Sequence, residues 1–107
     1  MILTDKCKEE FLDYYATSTA YYLLCNKEFD ELPLIMQYAL IIEFFDSVGI
    51  LILPHYSAFG FYSEIKDYND KSFGEFKTYL VCDYKIRTEA TQSAITKANE
   101  IFNNLNK

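Results

Sequence analysis

The stretch Phe44-Phe45-Asp46-Ser47-Val48-Gly49-Ile50-Leu51-Ile52-Leu53-Pro54 is where the chain changes its period. Before it, Leu34, Met36, Tyr38, Leu40, Ile41, Ile42, Phe44, Phe45 and Val48 follow a helical rhythm, with Gln37, Glu43, Asp46 and Ser47 as a polar edge. Pro33 suits a first helical turn, where its missing N–H costs nothing, and Gly49 suits the residue just past a helix end. After it, Ile50-Leu51-Ile52-Leu53 is a β-branched and aliphatic run that Pro54 halts. Helices therefore precede Gly49 and strands follow it. The segment 33–48 is apolar around most of its circumference, which predicts a central helix.

Toward the N-terminus, Cys7, Phe11, Tyr14, Ser18, Tyr21 and Cys25 recur at steps of three and four, a helical stripe widened by Leu12, Tyr15, Tyr22 and Leu24. Thr4 is the expected N-cap, and the helix is expected over about 5–26. Toward the C-terminus, Phe59, Phe61 and Ile65 alternate with polar or small positions, and Phe76, Tyr79, Val81 and Tyr84 form a second strand-like run. Asp67 to Gly74 reads as a loop. Thr88 is expected to cap a last helix, about 88–104, with Ala90, Ala94, Ile95, Ala98, Ile101, Phe102 and Leu105 on a narrow face of several small residues. The expected fold is α+β in a single domain, 1–107. It has two N-terminal helices, an antiparallel meander of two or three strands within 50–84, and a C-terminal helix packed on the sheet.

Composition narrows the function classes. The chain has 107 residues, half of them hydrophobic, enough for one core. Its net charge is −6, with a single arginine, which argues against autonomous nucleic-acid binding because that needs a basic footprint. Aromatic residues are 18% of the chain, too many for a disordered one. Cys7, Cys25 and Cys82 are odd in number and widely spaced, and the N-terminus shows no apolar signal region. No apolar run approaches the roughly 20 residues of a membrane span. These features predict a soluble cytoplasmic protein that does not enter membranes.

Little of the sequence suits catalysis. His55 is the only histidine and reads as a loop or strand-edge residue rather than the base of a Cys or Ser nucleophile. Asp67-x-Asn69-Asp70 lacks the glycine and the closing acid of a calcium loop. Glu9 and Asp13 stand four apart on an expected exposed helix edge, where nothing would shift them into acid–base work. There is no glycine-rich phosphate loop. No catalytic residue, metal ligand or cofactor is expected, and the chain is read as a non-enzyme.

Charge and tyrosine point instead to a contact surface. Residues 1–48 hold nine acids against three lysines, whereas residues 49–107 hold seven acids and seven bases. Such asymmetry steers encounter with a basic partner. Ten tyrosines are many for a core of this size, and tyrosine is favoured at interfaces for its large area and polar tip. The expected partner-binding residues are Glu9, Glu10, Asp13, Glu28, Asp30 and Glu31, with Tyr15 and Tyr22 as aromatic anchors.

Two segments carry a resemblance. Phe29-Asp30-Glu31-Leu32-Pro33, through Phe44-Phe45-Asp46-Ser47-Val48-Gly49-Ile50, resembles a pattern in small phage- and prophage-encoded proteins. Tyr84-Lys85-Ile86-Arg87-Thr88-Glu89-Ala90, with Ala94 to Ile101, is similar to the closing helix of the same proteins. Together with its size, acidity and lack of catalytic residues, this makes the chain resemble small anti-defence proteins, among them anti-CRISPR proteins directed at the type VI-B RNA-targeting effector. The resemblance implies binding to an RNA-guided CRISPR effector nuclease and disruption of its guide or target RNA use, with no residue-level transfer. The alternative is a small phage or mobile-element interaction module without a defence target, either a monomer or a homodimer through the first helix.

Overall fold

The helix-to-strand change occurs where the period changes. The computed structural model describes residues 1–19, 21, 27–58, 60–72 and 74–106, apart from the side chains of Cys82 and Asp83. Helix α1 spans Asp5–Ala16, a single 3₁₀ turn Phe29–Glu31, α2 Leu34–Ser47, β1 Ile50–Ser57, β2 Gly60–Asp67, β3 Lys77–Tyr84 and α3 Arg87–Leu105. Val48 closes α2, and Gly49 turns the chain into β1 at a φ of 81°, a region that glycine enters without steric penalty. The architecture is the expected α+β class: the described elements include three helices and a three-stranded antiparallel meander in the order β1-β2-β3, with α3 packed on the sheet.

Strand alternation decides which side is covered. Ile50, Ile52, Ser63, Ile65 and Asp67 are buried, whereas the intervening Leu51, Leu53, Glu64 and Lys66 are only half-buried. Register places Ile52 opposite Ile65, and Ile65 opposite Tyr79, so one face of the sheet presents a continuous apolar row. Helix α3 covers this row, and its Ala90, Ala94 and Ala98 repeat every four residues, letting the helix sit close to the strands. Helix α2 packs on β1 and α3, and α1 packs on α3 and α2. A chain of rings joins these layers: Phe11 meets Phe29 at 4.8 Å and Phe44 at 5.6 Å between centroids, and Phe44 meets Phe102 at 5.8 Å. Each buried ring contributes about 1.5–3 kcal/mol through area removed from water, and each such pair about 0.5–1.5 kcal/mol more.

Several local expectations are corrected. Helix α1 ends at Ala16, short of the expected residue 26, because the backbone turns at Thr17 and Ser18; Thr19 and Tyr21 are helical again, and residues 22–26 lie outside the described ones. The Thr17 hydroxyl donates to the Asp13 and Tyr14 carbonyls, and that of Ser18 to the Tyr15 carbonyl at 2.7 Å. Hydroxyls bonded to the preceding turn compete with helix continuation. Tyr22, Leu24 and Cys25 lie outside the described residues. Leu12 and Leu105, expected in apolar stripes, are exposed. Helix α2 is not central: Leu34 and Ile35 face outward, the latter 79% exposed, and only Leu40, Ile41, Phe44 and Phe45 are buried. Strand β1 passes through Pro54 to Ser57, which is allowed because β1 is an edge strand that needs hydrogen bonds on one side only. Helix α3 begins at Arg87 after Ile86, so Thr88 sits inside its first turn.

The α1 N-terminus is held differently from a simple cap. Thr4 occupies the N-cap position, but its side chain does not bond into its own helix. Instead Asn99 Oδ1 accepts the Thr4 N–H at 2.9 Å, and Asn103 Oδ1 accepts the Cys7 N–H at 2.9 Å. The Asn99 amide donates to the Thr4 hydroxyl at 3.0 Å, and the Asn103 amide to the Thr4 carbonyl at 3.1 Å. Asn99 and Asn103 stand four apart on α3, so both reach the same turn. The Cys7 N–H is one of the donors that a helix leaves without a partner at its start. The clamp also fixes Asp5 at a φ of 52°, which aspartate tolerates better than most residues.

Asn103→Ala is expected to destabilise the protein by about 1 kcal/mol, the usual loss for a helix cap. That corresponds to roughly 4–8 °C in thermal melting for a domain of this size. Asn99→Ala combined with it is expected to cost less than the two single losses together, because both share Thr4. Melting curves of the three variants check this.

Candidate functional site

Helix geometry sorts the α1 side chains. Cys7, Phe11 and Tyr15, at steps of four, face the core. At 100° per residue Glu9 and Asp13 then fall on the opposite ridge, and both are exposed. Glu10 flanks them and is also exposed. Lys6 Nζ lies 3.6 Å from Glu10 and 4.0 Å from Glu9. Such exposed pairs on a helix contribute a few tenths of a kcal/mol at most, so this end is only partly neutralised.

A second acidic segment is pinned to α1 by a ring. Phe29 is buried against Phe11 and Tyr15, and its neighbours Glu28, Asp30 and Glu31 remain exposed. The Tyr15 hydroxyl donates to the Lys27 carbonyl at 2.6 Å, which fixes the start of this segment. Burial pushes the Tyr15 phenol above its ordinary value, and Tyr21, Glu28 and Glu31 push in the same direction. The carboxylates of Glu28 and Glu31 therefore act electrostatically on the C-terminal part of α1.

A third group lies on the other flank. The Tyr14 hydroxyl donates to Glu43 Oε1 at 2.9 Å, across from α1 to α2. Burial raises the Tyr14 phenol, with further contributions from that hydrogen bond and from the charges of Glu43 and Asp46. Asp46 itself is raised, first by burial and then by Glu43. Among the described residues Asp13, Glu28, Asp30, Glu31, Glu43 and Asp46 take part in no ion pair.

Two of these acids sit against the helix dipoles. Neither α1 nor α2 has a basic side chain in its last turn, and Asp13 and Asp46 occupy those turns. A helix C-terminus carries partial negative charge and favours a cation there by about 0.3–1 kcal/mol. The arrangement thus adds negative charge where the backbone already supplies it. What it offers chemically is a dense field of solvated carboxylates around a firm ring-packed base.

Six of the eight expected contact residues, Glu9, Glu10, Asp13, Glu28, Asp30 and Glu31, are on the surface. Tyr15 is a correction: it is 4% exposed and belongs to the core, because Phe11, Tyr21 and Phe29 enclose its ring and the Lys27 carbonyl takes its hydroxyl. Tyr22 lies outside the described residues. The sequence reading missed Glu43, Asp46 and Tyr14 as members of the site. The charge count included both acids, but only the packing of α2 beside α1 brings them to Tyr14.

Other chemistry-bearing residues have structural places. The buried Cys7 thiol is pushed up to about 12, mainly by burial and also by Glu10, so at neutral pH it is a thiol and not a thiolate. Asp67 is buried and accepts the Asn69 N–H at 2.9 Å, while the Asn69 amide donates to the Val48 carbonyl, making 67–69 the turn that locks onto the end of α2. His55 Nε2 lies 3.6 Å from Glu64 on the edge strand. Among the described residues no cluster of three His, Cys, Asp or Glu side chains could hold a metal ion, and no helix is long and apolar enough to cross a membrane.

No protein-family model, curated protein or solved structure matches this chain.

Asp46→Asn is expected to stabilise the protein by about 0.5 kcal/mol, by removing a negative charge beside Glu43 and at a helix C-terminus. Because the folded state raises the Asp46 carboxyl, it holds this proton more tightly than the unfolded chain does. The benefit of that proton is lost as pH rises through the folded value, so the stabilisation by Asn is present at neutral pH and fades toward pH 3. Denaturant melts of both proteins at the two pH values check this.

Proposed function

We propose that the chain is a non-enzymatic inhibitor that acts by binding. Its acidic face around α1 docks on a basic surface that the partner otherwise uses for nucleic acid. The resemblance implies an RNA-guided CRISPR effector nuclease as that partner, and guide or target RNA as what it can no longer use productively. The supporting observation is the set of carboxylates without an ion pair among the described residues, Asp13, Glu28, Asp30, Glu31, Glu43 and Asp46, of which Asp13 and Asp46 stand in the last turns of α1 and α2. Selection for stability alone would place lysine or arginine in those last turns. A surface that keeps stability-reducing charge is the expected signature of a contact that needs it.

Charge of this kind acts on encounter more than on residence. Carboxylates spaced over a convex helical surface imitate the charge of a phosphate backbone and enter a basic groove by long-range attraction. A second reading, a self-associating interaction module, rests on Leu34 and Ile35, which stand exposed at the start of α2.

The triple reversal Asp13→Lys, Asp30→Lys and Glu31→Lys leaves the packed rings untouched. It is expected to slow association with a type VI-B effector by about tenfold or more at low salt and to flatten the salt dependence of the on-rate. Stopped-flow or surface-binding kinetics at two salt concentrations check this. Unchanged association would contradict the proposal and favour the self-associating reading.

A further inference from the structure

At the far end of the β1–β2 hairpin, on the other side of the molecule's charge divide, lies a cleft that the acidic face does not involve. It has a volume of about 210 Å³ and is walled by Pro54, His55, Tyr56, Phe61 and Tyr62 of the hairpin and by Arg87 of α3. It opens into a shallower groove that shares Tyr56, Phe61 and Arg87 and adds Lys85. Tyr56 and Phe61 pair across the hairpin 4.9 Å apart between centroids, and on its other face His55 stacks on Tyr62 at 4.9 Å with their planes 18° apart. The Arg87 guanidinium rests 5.6 Å above the Phe61 ring. Tyr56 is 73% exposed, a large ring left in solvent beside a cation.

Arg87 is the chain's single arginine, and it stands in the first turn of α3. That is the positive end of the helix dipole, the least favourable place for a cation. Among the described residues neither Arg87 nor Lys85 has an ion-pair partner. Ile86 gives α3 no side-chain cap, so the first N–H groups of the helix share this positive corner. Of the acids nearby, Glu64 lies 3.6 Å from His55 and Glu89 stands with Arg87 in the first turn of α3.

We infer that this cleft binds a nucleotide, with the base stacked on the Tyr56–Phe61 wall and the phosphate held by Arg87 and Lys85. Planar rings with a guanidinium alongside suit any base, because every base offers a π-face. Ligand pockets for whole small molecules are usually about 300–1,000 Å³, so a cleft of this size takes one base and leaves the phosphate in the open groove. An extended peptide fits less well, since Pro54 interrupts the β1 edge that an added strand would use. A single-base site is compatible with a net charge of −6, because it needs two local cations rather than a basic footprint. It lies about 18 Å along α3 from the asparagine clamp, so the inference stands independently of the proposed inhibitor function.

Amide-resolved NMR of the full chain tests it, with uridine 5′-monophosphate, inorganic phosphate and a short single-stranded oligouridylate as separate titrants. The expected result is saturable shifts at Tyr56, Phe61, Tyr62 and Arg87 to Thr91 with the nucleotide, and much smaller shifts with phosphate. Tyr56→Ala and Arg87→Gln, both surface changes, are each expected to weaken the nucleotide about tenfold while the rest of the spectrum keeps its positions. Tighter binding of the oligonucleotide assigns the site to a strand of RNA, and equal binding assigns it to a free nucleotide. The inference is overturned if these residues do not shift, if phosphate alone shifts them equally, or if Tyr56→Ala leaves nucleotide affinity unchanged.

Discussion

The two asparagines of α3 join the ends of the chain. Asn99 and Asn103 bind Thr4 and Cys7 through backbone and side-chain atoms, across nearly the full sequence separation. Because they take the backbone donors of the first turn of α1, that helix has a fixed starting point on α3. Its core face, Cys7, Phe11 and Tyr15, is then set against α2 and the 3₁₀ turn. Phe29 follows, and with it the exposed acids on either side. The same contact that closes the fold therefore also places the carboxylates of the candidate site.

The charge pattern has one physical theme at both ends of the molecule. Asp13 and Asp46 lie at negative helix ends, and Arg87 lies at a positive one. Each placement reduces stability by a few tenths of a kcal/mol, and none is relieved by an ion pair among the described residues. Local rules broken without a neighbouring compensation are where function is expected. The acids suit a basic protein surface. The arginine, set among exposed rings, suits an anionic planar ligand.

Much of the architecture was legible because period and punctuation agree. Gly49 and the run from Ile50 to Leu53 mark the change from helix to strand, and the alanine spacing in α3 marks the face that meets the sheet. The errors share a cause: a local signal was overruled by a neighbour the sequence does not name. Ser18 fits a helical stripe by spacing, yet its hydroxyl bonds back to Tyr15 and ends α1. Pro54 reads as a stop until the strand is known to be at an edge. Tyr15 reads equally as core or as surface anchor, and only the position of Phe29 decides for core. Asn99 and Asn103 carry no signal at all in a single sequence, since asparagine on a helix is ordinarily a solvent-facing residue of low propensity. For the site, the six exposed acids followed from charge counting, while Glu43, Asp46 and Tyr14 required the packing of α2 beside α1.

The central claim is that the carboxylates around α1 are only partly compensated and repel one another in the folded state. The most direct test is the melting temperature of the unmodified chain at about 20 mM and about 500 mM sodium chloride, since added salt shortens the range of repulsion from beyond 10 Å to a few ångströms. The account predicts that melting rises by several degrees at the higher salt, with a smaller rise in the Asp13, Asp30 and Glu31 triple reversal. A melting temperature that stays constant or falls with salt would mean that these charges are already balanced, and would contradict it.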